Sequence, residues 1–206
     1  MWPQANVKLV GGPHGRSPEA VKTIQRERLL KGTVEVVSRK GYAAATVRDL
    51  LAASGLSRRT YYDLYKDKEE CYLDAFGDVA EQIVDRVTAA YEAGHTPREQ
   101  MRLALEALVD FCLDEPDAAC ACLVESLAAG RSGRDARSKL IERLADLFSP
   151  ALTGLRPDDP NPALSARATV GGVFELLYGP IARHDRERLL ELVEQIGELP
   201  IVLPAG

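Results

Sequence analysis

Long apolar runs are missing from this chain of 206 residues. None approaches the ~20 consecutive apolar residues of a membrane helix, so no membrane contact is expected. The opening stretch, WPQANVKLVGGPHGRSPEA, lacks the apolar core of a secretory signal, and the expected location is cytoplasmic. Histidine is scarce: His14, His95 and His184 are scattered, and none stands near the four cysteines. No metal site is therefore expected. Four cysteines in a cytosolic chain do not imply a disulfide framework. Cys120-Ala-Cys122 suggests a thiol sensor or a soft-metal pair, but residues two apart on a helix point about 200° apart. The plainer role for these thiols is as small buried hydrophobes. A Gly-rich phosphate loop, G-x-S-x-G and H-E-x-x-H are all missing, so neither an enzyme nor a cofactor is expected.

What is present favours helix. Ala, Leu, Arg and Glu dominate, no stretch reads as a convincing strand, and no internal repeat is visible. The hydrophobic fraction of 46% and charged fraction of 28% are ordinary for a globular protein. The expected fold class is all-α. The net charge of −5 is unevenly spread. Residues 1–70 carry 13 Lys and Arg against 8 Asp and Glu, whereas the remainder carries 13 against 23. A local basic face is sufficient to neutralise phosphates. The acidic remainder would turn the wrong face of the molecule away from DNA.

The basic part contains the stretch around which the chain is organised, residues 46–68, TVRDLLAASGLSRRTYYDLYKDK. Thr46 with Asp49 makes a capping box, and Val47, Leu50 and Leu51 have helical spacing. Gly55 ends this first short helix and Ser57 caps a second. The second helix opens with Arg58, Arg59 and Thr60, while Tyr61, Leu64 and Tyr65 lie on its apolar side. A short helix that is basic in its first turn, following a helix and a tight turn, has the shape of a helix-turn-helix reader of DNA. Arg58 and Arg59 are the candidate base readers, because Arg pairs bidentately with guanine. Thr60 suits a thymine methyl or a phosphate. Asp67 and Glu70 then box the start of a third helix, where Lys68 sits at an end that favours phosphate.

Gly41-Tyr42, Thr46, Gly55-Leu56-Ser57, Thr60-Tyr61-Tyr62, Tyr65 and Lys68-Glu69 together resemble the N-terminal signature of tetracycline-repressor-like (TetR family) regulators, over roughly residues 20–75. The chain departs from that pattern at Leu51 and Ser54, where the family usually has Ala. It departs again at Gly32-Thr33, where the family has Ala-Ala, and at Tyr65, which replaces Phe. The resemblance implies that Thr46, Tyr62 and Lys68 hold the phosphate backbone, with Ser57 at the start of the reader helix. It further implies a double-stranded DNA operator, a homodimer joined through the last two helices, and a small-molecule effector bound among the middle helices.

In chain order, residues 1–17 read as a flexible arm, with Lys8 and Arg16 as incidental or DNA-touching cations. Residues 18–68 form the DNA-binding domain and residues 69–200 the effector-binding and dimerisation domain. The first helix is expected over 18–40 and a long one from 69 to about 93. A helix opens at Thr96-Pro97 and ends by Pro116. Another, very apolar, is expected over 117–129, interrupted by 130–133. A helix over 135–148 is closed by Pro150. The last two run from 161–162 to about 178, broken by Pro180, and from 185 to about 196, with Leu189, Leu190, Val193 and Ile196 as its stripe. The tail 200–206 frays. Candidate pocket residues are Met101, Phe111, Cys112, Glu125, Phe148, Phe174 and Tyr178. Glu125 stands out as a carboxylate in an apolar run that must be paired, protonated or exposed.

The function expected from these features is a sequence-specific transcription regulator, a repressor released from a palindromic operator by a small molecule. The alternative is a DNA-binding regulator switched by a protein partner or by cysteine oxidation.

Overall fold

A computed structural model describes residues 17–198, and all regular structure among them is helical. The arm with Lys8 and Arg16, and the tail from 199 onward, lie outside the described residues. The helices are α1 (Pro18–Lys40), α2 (Val47–Ser54), α3 (Arg58–Leu64), α4 (Lys68–Glu92), α5 (Pro97–Asp114), α6 (Pro116–Ala119), α7 (Gly130–Leu155), α8 (Pro162–Ala182) and α9 (Arg186–Glu198). Between α6 and α7 the backbone winds first as a π turn, Cys120–Val124, and then as a 3-10 turn, Glu125–Leu127. Among the described residues no helix is long and apolar enough to cross a membrane.

Local chemistry fixes most helix starts. Ser17 accepts from the Ala20 amide, and Pro18 follows at the first helical position, where its missing N–H costs nothing. Thr46 and Asp49 form the reciprocal capping box. Ser57, Asp67, Thr96 and Asn161 each accept an amide three residues on. Gly55 ends α2 at φ 65°, a left-handed geometry that is easiest for glycine.

α1 packs on α2 and α4. α4 also packs on α5 and α7, which in turn meet α9 and α8. One continuous apolar core links Leu29, Val37, Leu50 and Tyr61 with Tyr72, Ile83, Leu108, Leu144 and Phe174. Polar ties reinforce the junction of α1, α3 and α4. Arg26 grips Asp74 with Nε at 2.8 Å and Nη2 at 2.6 Å, and the Tyr65 hydroxyl donates to the same carboxylate. Burial pushes the Asp74 carboxyl up, but these two donors more than offset it and hold the group below the usual carboxylate range.

The structure corrects the expected course of the middle of the chain. Residues 117–129 do not form one helix. The backbone is widened and then tightened there because its carbonyls are claimed from outside. The Tyr72 hydroxyl donates to Ala121 O at 2.7 Å and Arg137 Nε to Leu123 O at 3.4 Å. Gly130–Gly133 is no interruption, since α7 begins at Gly130. Pro150 and Pro180 stop nothing: each lies inside its helix. An interior proline costs ~3 kcal/mol, and here burial of the following residues, Ala151 and Leu152 in α7 and Ile181 in α8, keeps the helix going. In α9 Leu189 and Leu192 are buried and Val193 packs half-buried against the core, while Leu190 is exposed; the side chain of Ile196 lies outside the described residues.

Gly133 is inside α7 because another backbone presses on it. A Cβ there would stand 2.4 Å from Ser126 O. Gly133→Ala should lower stability by about 1–3 kcal/mol through overpacking, although Ala is the better helix former. Urea unfolding should show a lower midpoint with an unchanged m-value.

Candidate nucleic-acid interface

α3 divides its side chains cleanly. Tyr61 is fully buried, and its hydroxyl donates to Asp67 O at 2.8 Å. This fixes α3 against the start of α4. On the opposite side Arg58 and Arg59 are exposed and form no hydrogen bond or ion pair among the described residues. Tyr62 is 53% exposed and rests edge-on against Tyr61, with ring centroids 5.3 Å apart. Ser57 accepts the Thr60 amide at 3.1 Å, and the two hydroxyls share a further hydrogen bond at 3.0 Å. The result is a rigid first turn that presents two unpaired guanidinium groups and an amphipathic ring to solvent. That is suited to base edges and phosphates.

Thr46 stands at the start of α2 and is exposed. Its hydroxyl donates to Asp49 Oδ2 at 2.7 Å and also accepts the Asp49 amide at 3.3 Å. Lys40 holds the other oxygen of Asp49 at 2.6 Å. The Lys40 and Thr46 hydrogen bonds hold the Asp49 carboxyl down at about 2. Arg48, near Thr46, is exposed and unpaired among the described residues. Sequence reasoning passed over it because its neighbours Val47 and Leu50 defined the helix. Its position in the first turn of α2 was the available signal.

Lys68 is placed differently from a free surface cation. Its ammonium donates to Tyr42 O at 2.7 Å and to Ala45 O at 2.9 Å, and it stands 4.2 Å from the centre of the Tyr42 ring. Burial lowers its pKa. These partners tie the loop between α1 and α2 to the start of α4.

The seven candidate pocket residues do not converge on one cavity. Met101, Phe111, Cys112, Phe148 and Phe174 are buried in the core, and Glu125 and Tyr178 are half-buried. Phe148 stacks on Tyr91 at 6.2 Å. Glu125 accepts the Tyr42 amide at 2.7 Å, so its carboxylate is satisfied by the backbone of the α1–α2 loop. Cys112 lines a cleft of about 180 Å³ with Leu113, Ile181, His184, Arg186 and Leu189. A larger groove of about 510 Å³ runs between α4 and α7, with Phe76, Ala80 and Leu140 in its wall and Lys139 and Arg143 among its charged residues. The four cysteines are buried and unpaired, and burial raises every thiol, Cys71 to about 11 and Cys112 to about 12. Among the described residues no three His, Cys, Asp or Glu side chains cluster as a metal site.

Residues 29–75, which span α2, α3 and the loop that Lys68 ties down, match the family model described as "Bacterial regulatory proteins, tetR family". The match covers the helix-turn-helix part of the chain, which is thereby similar to the DNA-binding region of tetR-family regulators. It is 28% identical over 104 residues to the HTH-type transcriptional activator FasR of Mycolicibacterium smegmatis, an alignment covering 50% of this chain and 48% of FasR. It is 25% identical over 105 residues to the uncharacterized HTH-type transcriptional regulator YerO of Bacillus subtilis, covering 50% of this chain and 36% of YerO. The chain thus spans about half the length, or less, of the curated relatives it matches. Solved structures extend the likeness to most of the chain. The transcriptional regulator FadR from Bacillus subtilis, in complex with stearoyl-CoA, superposes with a TM-score of 0.75 at 16% identity, covering 87% of this chain and 98% of FadR. The tetR-family regulator PfmR from Thermus thermophilus superposes with a TM-score of 0.64 at 22% identity, covering 88% and 97%. At such identities the likeness is one of fold.

Two outcomes follow for this helical unit. Lys68→Met should lower stability by about 1–3 kcal/mol, because two charge-assisted hydrogen bonds to carbonyls are lost together; thermal unfolding reads the change. Asp49 has a folded-state pKa depressed to about 2. Its contribution should be complete above its unfolded pKa, about 3.9, and should be lost as pH falls through 2. Asp49→Asn should flatten that acid limb, and a carboxyl NMR titration of Asp49 should give the same midpoint.

Proposed function

We propose that this chain is a sequence-specific DNA-binding transcription regulator that acts as a homodimer on a palindromic operator. Release by a small-molecule effector makes it a repressor. The observation that carries this reading is the first turn of α3. Arg58, Arg59 and Tyr62 are exposed there, held by a helix whose inner face buries Tyr61 fully and packs Leu64 against the core. Residues 18–68 serve as the reader and residues 69–200 as the effector-binding and dimerisation part. Arg58, Arg59 and Thr60 read bases, while Thr46, Ser57, Tyr62 and Arg48 position the phosphate backbone.

Dimerisation is supported by α8 and α9. Leu164, Leu176 and Leu190 are 61%, 42% and 49% exposed, and a Cβ added at Gly171 or Gly172 would meet nothing. A short reader helix covers few base pairs, so two related by a twofold axis read a palindrome. Effector control is supported by the mechanical link between the halves. Tyr42 is gripped by Lys68 at the start of α4 and by Glu125 of the irregular segment, and Tyr72 of α4 is bonded to Ala121. An effector that prefers another arrangement of these elements would shift both reader helices. FadR, bound to stearoyl-CoA on the same fold, supports a small organic ligand in this role. Switching by cysteine oxidation is disfavoured by the buried thiols with raised pKa.

Selection of binding sites from genomic DNA with the purified protein should return a short palindrome. Arg59→Ala should relax preference at one position of each half-site and cost roughly 1–3 kcal/mol on the selected site. Failure to enrich any sequence, with the variant indistinguishable from the parent, would overturn the reading.

A further inference from the structure

Arg137 occupies a position that a cation ordinarily avoids. On α7 it falls in phase with Gly133, Leu140, Ile141, Leu144 and Phe148, all of which are buried. The steps of three and four residues put the guanidinium on the core-facing stripe. Its carbon lies 5.2 Å from the centre of the buried Phe174 ring on α8, and Nε makes one long hydrogen bond, 3.4 Å, to Leu123 O. No carboxylate forms an ion pair with it among the described residues. Burial lowers its pKa, and the exposed Glu175 acts on it only at a distance. A second unsatisfied group lies on the same seam. Ser126 is fully buried and its hydroxyl has no hydrogen-bond partner among the described residues. Ser126 O presses on Gly133, one turn before Arg137, while Leu123 lies one turn before Ser126.

Buried cations are normally paired, and removal from water without a partner is costly. A half-buried guanidinium retained without a carboxylate, against an aromatic ring and with one long hydrogen bond, is a donor fork without its acceptor. Such a fork is matched by a planar carboxylate. The apolar residues that Arg137 touches, Phe174 through its ring and Leu123 through its carbonyl, favour an anion with an apolar body over a small inorganic one.

We propose that Arg137 anchors a small organic carboxylate with an apolar body in the seam between residues 120–127, α7 and α8. The site deepens the proposed effector control and rests on that reading for its consequence on DNA. It also lies beside the elements that would transmit the signal. The carbonyl that Arg137 holds belongs to the π turn, and Glu125, two residues on, holds the reader through Tyr42.

The test compares dodecanoate, dodecanol and dodecyltrimethylammonium, the two ions below their micelle concentrations and dodecanol below its solubility, on the whole chain and on Arg137→Met and Arg137→Lys. Calorimetric titration and thermal unfolding are read together. Dodecanoate should bind the parent protein at least about tenfold more tightly than dodecanol, and the cation should not bind. Arg137→Met should lose that preference while its ligand-free Tm is equal to or above the parent's, since an unpaired charge has left the core-facing stripe. Arg137→Lys keeps the charge without the fork and should weaken dodecanoate more than dodecanol. It carries the test if Arg137→Met does not fold. Equal affinity of the parent for dodecanoate and dodecanol would overturn the site, as would dodecanoate affinity unchanged by both substitutions. Affinity for the selected palindrome, measured in the same titrations, separates the two readings. Dodecanoate bound through Arg137 with operator affinity unchanged would keep the site and remove effector control.

Discussion

The backbone of Tyr42 is the point on which the arrangement of the molecule turns. Its amide is taken by Glu125 and its carbonyl by Lys68, and its ring lies 4.8 Å from that of Tyr72. The loop between α1 and α2 would otherwise leave these groups to water. Held as they are, they tie the reader both to the start of α4 and to the irregular segment before α7. α2 and α3 follow directly from this loop, so their placement depends on it. Both ties are charge-assisted and partly shielded, which makes them stronger than neutral hydrogen bonds in open solvent.

The ends of elements were more legible in the sequence than their interiors. Ser17-Pro18, Thr46 with Asp49, Ser57, Asp67 and Thr96-Pro97 all act locally, within three residues, so a linear reading finds them. The exposure of Arg58, Arg59 and Tyr62 was legible for the same reason: helical phase fixes it once Tyr61 and Leu64 face inward. The irregular turn at 120–127 was not legible. ACACLVESLAA is almost uniformly apolar, which hides any period, and the donors that reshape it, Tyr72 and Arg137, are 49 and 14 residues distant in sequence. Pro150 and Pro180 misled for a related reason. Their cost is local and visible, while the burial that offsets it is tertiary.

The role of Lys68 shows the limit of assignment by residue type. An ammonium at a helix N-terminus fits a phosphate on charge alone, yet two carbonyls of the α1–α2 loop are nearer. The departures from the family's usual residues resolve in a similar way. A Cβ at Gly32 would stand 3.0 Å from Ser54 N, so the glycine lets the backbone of α2 approach α1 closely. Ser54 Oγ donates to Leu50 O at 2.8 Å and leaves no unsatisfied hydroxyl. Thr33, the third, is fully buried and shares a hydrogen bond with Cys71 at 3.3 Å, linking α1 to α4.

A chain optimised for stability alone would have neither a π turn nor a half-buried, unpaired arginine next to it. The π turn exchanges well-formed α-helical bonds for poorer ones, and the arginine forgoes apolar packing on the most buried stripe of α7. Both irregularities sit on one seam, and that seam holds the reader through a single carboxylate. If they were independent defects, nothing would require them to share a carbonyl, as they do at Leu123. For the proposed function their coincidence supplies what a switch requires: an irregularly wound segment, a charged group bonded to it, and a direct bond to the proposed DNA reader.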